Sequence, residues 1–162
     1  MTPRRQTGPM APARTSAASR RLAGILLLVL PSVMYGGVSI LTLLVGTPEY
    51  MANRLRQDLW RAGHAHAGVF LILSLVALRY VDEATLSERA RQFVRVALPS
   101  AAILVPFAFF FSVLDPAATR PNALIRIAYV GAALLAAGVV TLGVGLIRRP
   151  PIDQEVSDGE HR

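Results

Sequence analysis

Four stretches of this chain contain no Asp, Glu, Lys or Arg: Leu22 to Pro48, Ala62 to Leu78, Val96 to Leu114 and Ile127 to Ile147. Each runs for roughly 17–27 residues, the length a helix needs to cross about 30 Å of hydrocarbon. A soluble chain would interrupt such runs every few residues to keep one face in water. In lipid, a helix pairs its backbone polar groups within a single segment, whereas an open strand leaves them unpaired. The sequence therefore predicts an all-α fold, a four-helix transmembrane bundle with spans near 22–47, 63–81, 94–114 and 124–147. A length of 162 residues fits one domain over 21–149, flanked by tails at 1–20 and 150–162.

A formal charge of +7 would point to nucleic acid on a soluble protein. Here all 17 basic residues are arginine and they border the apolar runs, so the charge is better explained by topology, and no nucleic-acid partner is expected. Arg4, Arg5, Arg14, Arg20 and Arg21 precede the first run. Arg79, Arg89, Arg91 and Arg95 separate the second from the third, and Arg148 and Arg149 follow the fourth. The other two links carry only Arg54, Arg56, Arg61, Arg120 and Arg126. The positive-inside rule then predicts cytoplasmic N- and C-termini and a cytoplasmic middle link. The chain has no cysteine, which excludes disulfides, thiolate metal sites and thiol catalysis.

The first tail is rich in Pro, Ala, Ser, Thr and Arg and has no apolar period, as expected of a disordered basic segment near anionic headgroups. Ser19-Arg20-Arg21 resembles part of a twin-arginine export signal, but the next apolar run exceeds a signal-peptide length, so a retained first span is expected. The last tail, with Asp153, Glu155, Asp158 and Glu160, reads as short, acidic and disordered.

Within the spans, small residues mark places where helices approach closely: Gly36 and Gly37 after Pro31, Gly68, and Gly131 and Gly138 with Ala132, Ala136 and Ala137. They suit packing within the chain, in a homo-oligomer or in a larger membrane complex, with the lipid bilayer as the surrounding partner. Met51, Leu55, Leu59 and Trp60 recur at helical spacing in the first outer link. They predict a short amphipathic helix in the interface, anchored by Tyr50 and Trp60. Thr85-Leu-Ser-Glu88 has the spacing of a capping box, so a helix should start there. Phe109, Phe110 and Phe111 are consecutive and therefore point around their helix rather than along one face.

The predicted topology gathers polar side chains on the outer side. His64 and His66 head the second span, Ser112 and Asp115 end the third, and Arg126 and Tyr129 open the fourth. Neutral imidazole is a metal ligand and titrates near neutrality. In a helix the two rings stand about 200° apart and do not readily share one metal. On an extended segment, which Gly63 would help, they would point the same way and bind one transition-metal ion with Asp115 or Glu49 as a third ligand. Gly68, four residues after His64, would leave room beside that ring for haem, whose iron takes axial histidine. The alternative is that both histidines are interfacial hydrogen-bonders among packing residues.

The run Gly63-His-Ala-His-Ala-Gly68 resembles the His-x-His elements on membrane helices of haem-copper oxidase-type subunits, and that resemblance implies histidines serving different haems. The whole pattern of four spans with Arg- and Ala-heavy links resembles small four-span integral membrane proteins of bacteria, which implies a multi-pass protein of the plasma membrane and no particular activity. The expected role is a non-enzymatic subunit or self-assembling membrane module, with no catalytic residue assigned. Haem or metal binding by His64 and His66 is the alternative. A small transporter, suggested by the prolines of spans one and three, comes after it.

Overall fold

The computed structural model describes residues 15–148. Of the tails expected to be disordered, 150–162 and residues 1–14 lie outside the described residues, whereas Ala17 to Arg20, counted into the first tail, already form the opening turn of α1 because Ser16 caps it. The fold is helical throughout, without a strand among the described residues. Five α-helices follow in order: α1 (Ala17–Gly46), α2 (Pro48–Ala52), α3 (Arg54–Tyr80), α4 (Glu88–Phe111) and α5 (Ile127–Ile147). A 3-10 turn at Ala123–Arg126 leads into the last. Four of them, with the 3-10 turn counted into the last, are long and apolar enough to cross a membrane.

Three of the long helices, α1, α3 and α4, start ahead of their charge-free runs for reasons of capping, whereas α5 starts at Ile127 where its run does. Ser16 is extended and its hydroxyl accepts from the Ser19 N–H, so α1 begins five residues ahead of Leu22. Asn53 accepts from the Arg56 N–H and starts α3 at Arg54. A separate interfacial helix was expected over the first outer link. Instead only the single turn α2 stands apart, and the polar stretch from Arg54 to Arg61 forms the opening turns of α3 itself. Nothing after the Asn53 cap breaks the helix, so it propagates directly into the apolar run.

The start of α4 also differs from the expected capping box. Ser87, not Thr85, is the N-cap, and its hydroxyl accepts from the Ala90 N–H. Thr85 serves the neighbouring helix instead. Its N–H donates to the Gly145 carbonyl at 2.8 Å and its hydroxyl to the Arg148 carbonyl at 3.2 Å. Carbonyls at a helix C-terminus lack intrahelical partners, and the α3–α4 link supplies them for α5.

The long helices are ordered side by side as α1, α3, α4, α5, with α4 packed extensively on both α3 and α5 and α1 resting chiefly on α3. The buried core sits where the α3–α4 link turns. Ala77, Val81, Ala84, Val94, Ala97, Leu98 and Leu142 form it, with Leu73, Leu86, Leu134 and Leu135 packed around. Three glycines spaced seven apart let α5 approach so closely. A Cβ on Gly131 would meet Val105 Cγ2 at 2.6 Å, one on Gly145 would meet Leu86 Cγ at 2.5 Å, and one on Gly138 would run into Leu98 Cδ1. Ala132, Ala136 and Ala137 lie on the exposed side of α5.

At the opposite end, side chains tie the links together. Asn53 Nδ2 donates to the Pro116 and Ala118 carbonyls at 2.8 and 3.0 Å, and Gln57 Nε2 to those of Tyr50 and Met51 at 3.0 and 2.9 Å. Trp60 Nε1 donates to the Phe110 carbonyl at 3.3 Å, while its ring meets Tyr50 on one side and Phe110 on another. Tyr50 is wholly buried. That burial raises its phenol pKa, against the lowering effect of Arg61 and Arg56, so the hydroxyl stays neutral.

Candidate functional site

Because α3 is one uninterrupted helix from Arg54 to Tyr80, His64 and His66 leave it in different directions. His64 turns to α1. A Cβ on Gly37 would lie 2.9 Å from its Nε2, and one on Gly36 would lie 3.7 Å from its Nδ1. The glycine pair of α1 is therefore a notch that receives an imidazole. Gly68 is aligned on the same neighbour, with Val33 at 3.9 Å from its virtual Cβ.

His66 turns to α4. Its ring stands edge-on to Phe70 and Phe109, with centroids 5.2 and 5.3 Å away. Its Nδ1 lies 2.7 Å from the Ala62 carbonyl one turn back. A carbonyl only accepts, so in the neutral ring Nδ1 carries the proton and Nε2 the lone pair. Gly63 lies under Phe109 and Phe110, whose atoms come within 3.1–3.2 Å of its virtual Cβ. The three consecutive phenylalanines divide as the helical period requires: Phe109 to His66, Phe110 to Trp60, and Phe111 stacked on Phe107 at 4.4 Å.

The other polar residues expected on the outer side each have local work. Asp115 accepts from the Ala117 N–H at 2.8 Å in an exposed turn. Ser112 is buried and donates to the Phe109 carbonyl at 3.2 Å. Arg126 and Tyr129 are exposed. Among the described residues, no three His, Cys, Asp or Glu side chains converge in a group that could hold a metal ion.

The most concentrated polar chemistry is at the far end of the helices, around Arg95. In the sequence this residue reads as one more arginine bordering a span, yet it is 5% exposed. Its NH2 lies 2.6 Å from Asp82 Oδ1, its NH1 2.8 Å from Glu88 Oε1, and its Nε donates to Ser19 Oγ at 3.1 Å. Asp82 also accepts from the Ser16 N–H at 2.9 Å, placing a carboxylate at the positive end of α1. Burial by itself would raise the Asp82 carboxyl. The hydrogen bonds from the Ser16 N–H, Arg95 and the Ser19 and Ser16 hydroxyls outweigh it and hold the pKa below the usual carboxylate value. The one signal in the sequence was the Glu88–Arg95 spacing of seven, which puts both on one helix face. Ser16 and Ser19 lie too far along the chain to be paired with them by pattern.

Both polar centres thus bond helices to one another. His64 fills a notch between α3 and α1, and Arg95 joins α4, the α3–α4 link and α1. Compared with known proteins, the chain matches no family model, no curated protein and no solved structure.

Proposed function

We propose that this protein is a non-enzymatic, multi-pass protein of a bacterial plasma membrane, with both termini cytoplasmic, and that α1 is the helix through which it assembles. The observation that carries the reading is the character of α1's open side. In its most apolar window only 11% of residues are buried, against 44% for α4. That open side is not uniformly greasy: Ser32, Tyr35, Ser39 and Thr42 follow at spacings of three, four and three along it, with Tyr35 73% exposed. Such a spacing keeps them on one stripe. Their hydroxyls (Tyr35 excepted) are satisfied by carbonyls of α1 itself at 2.7–3.0 Å, so facing lipid is not costly. Hydroxyl-bearing and small residues are nevertheless what helices in lipid use against each other. A second copy of this chain or a larger membrane complex would cover the stripe.

The absence of native cysteine makes the test direct. Single cysteines at Ser32, Ser39 or Thr42 should cross-link in membranes to a second copy or to one defined partner, while a cysteine at the exposed Val140 of α5 should not. A monomer in nanodiscs with no cross-link along α1 would sink the reading. A cysteine at Ala65 should label from outside the cell, and labelling only from the cytoplasm would overturn the orientation.

A second reading rests on His66. Its lone pair is on Nε2 while Nδ1–H is held by the Ala62 carbonyl, the arrangement in which a histidine serves as an axial or metal ligand. Haem or a transition metal would then give the purified protein a Soret band or stoichiometric metal that His66→Ala abolishes. Clean spectra after expression with haem and copper supplied would remove this alternative.

A further inference from the structure

Ion pairing among the described residues leaves two arginines of the α4–α5 link without a carboxylate. Asp58 takes Arg61, Glu83 takes Arg79, and Glu88 and Asp82 take Arg91 and Arg95. Asp115, the acid nearest in sequence, directs its carboxylate to the Ala117 N–H. Arg120 and Arg126 are exposed and line one hollow of about 340 Å³ with Pro121, Asn122, Ala123 and Ile125.

The hollow is preformed by its backbone. Asn122 donates its N–H to the Ser112 carbonyl at 2.9 Å and its Nδ2 to the Phe111 carbonyl at 3.1 Å, and accepts from the Leu124 N–H at 2.9 Å. Asn53 pins the preceding turn through the Pro116 and Ala118 carbonyls. With the Asn122 amide thus occupied, the two guanidiniums are the charged groups that the hollow offers a ligand. Guanidiniums only donate and stay charged, so the ligand chemistry is that of an anion with several acceptor oxygens. A preformed loop also loses little freedom when such a ligand arrives.

The surroundings distinguish a lipid from a free ion. The link joins two long apolar helices and so lies at the level where hydrocarbon gives way to headgroups. Leu124, within the 3-10 turn, and Tyr129 and Val130, which follow Arg126 within the first turn of α5, are exposed apolar side chains along which an acyl chain can lie. We propose that the hollow between Arg120 and Arg126 seats the phosphate of an anionic phospholipid whose chains run along the open side of α5. This rests on the membrane-spanning reading above.

The test uses the full chain in nanodiscs of phosphatidylcholine with a minority of phosphatidylglycerol, and reads by native mass spectrometry which lipids the protein retains. The wild type should retain phosphatidylglycerol preferentially. Arg120→Gln and Arg126→Gln should each lower that preference by roughly fivefold, and the pair together by about thirtyfold, as expected for an arginine at an anionic surface. The double lysine variant should keep most of the preference. Added inorganic phosphate should leave it unchanged. Displacement of the lipid by phosphate would reassign the hollow to a free anion and overturn the proposal. Alkaline carbonate separates the two readings: a chain released from the membrane removes the spanning reading, whereas a chain that stays but retains both lipids equally removes only the lipid site. Far-UV circular dichroism of each variant checks that its helices are intact.

Discussion

Arg95 Nε donates to Ser19 Oγ at 3.1 Å, and this bond joins α4 to α1 across 76 positions of sequence. Both residues are buried, so the contact is shielded from water and salt as a surface pair would not be. The same guanidinium holds Asp82 and Glu88, which leaves few of its donors idle. Removing it would strand Asp82 with a carboxylate 13% exposed.

Arg95→Met should therefore destabilise the fold by about 3–5 kcal/mol, the cost of breaking a buried pair from one side. Adding Asp82→Asn should restore part of the loss, because the stranded charge is then gone. Thermal unfolding in mild detergent, followed by circular dichroism, measures both. Unchanged stability in the single variant would mean that the cluster contributes nothing.

The Asp82 carboxyl, held below its usual value by its hydrogen bonds against the opposing effect of burial, links stability to pH. A carboxylate with a lowered pKa contributes stability that is fully present above about 4, the unfolded value, and is lost as pH falls through the lower folded value. Unfolding midpoints measured from neutral pH downward should fall once pH drops below about 4. The fall should be smaller in Asp82→Asn. Parallel profiles for the two proteins would contradict the assignment.

The glycines of α5 should respond oppositely to alanine. At Gly131 a methyl would lie 2.6 Å from the stiff Val105 side chain, with the Val105 backbone N 3.3 Å away, so Gly131→Ala should cost about 1–3 kcal/mol through overpacking. Gly143 has nothing within 4 Å of its virtual Cβ, and there alanine should stabilise by up to about 1 kcal/mol through helix propensity. Unfolding curves of the two variants give the comparison. Equal effects would argue against the close α4–α5 contact.

Gly37 and His64 should behave as one unit. Gly37→Ala puts a methyl 2.9 Å from His64 Nε2 and should destabilise the α1–α3 contact, while His64→Ala vacates the notch. The double variant should be more stable than the sum of the single effects by about 0.5–3 kcal/mol. Additive effects in a double-mutant cycle would show that the imidazole does not occupy the notch.

The number and sites of the long helices were legible from the charge-free runs, because a run of that length has few other ways to satisfy its backbone. So was the divergence of His64 and His66, which follows from helical period once α3 is a helix. The starts of α1, α3 and α4 were not, since Ser16, Asn53 and Ser87 are caps only by virtue of local backbone shape. Nor was Arg95: an arginine at the edge of an apolar run normally extends to water or phosphate. Its recruitment inward depends on Ser16 and Ser19, which belong to a stretch that composition alone assigns to a tail. The Gly131–Gly138–Gly145 face was only half visible, because alanines at nearby positions offer the same small volume and only the neighbours on α4 and in the link decide between them.

Since α1, α3, α4 and α5 stand in the order in which they are synthesised, each new span finds its docking surface on the one just before it. Most pairings are local in the chain, the condition under which helical folds form quickly. An open series of this kind, unlike a closed ring, also terminates in two outermost helices. A copy docked on α1, as proposed above, would leave what is already packed undisturbed, while the α5 end of the series would stay open to lipid.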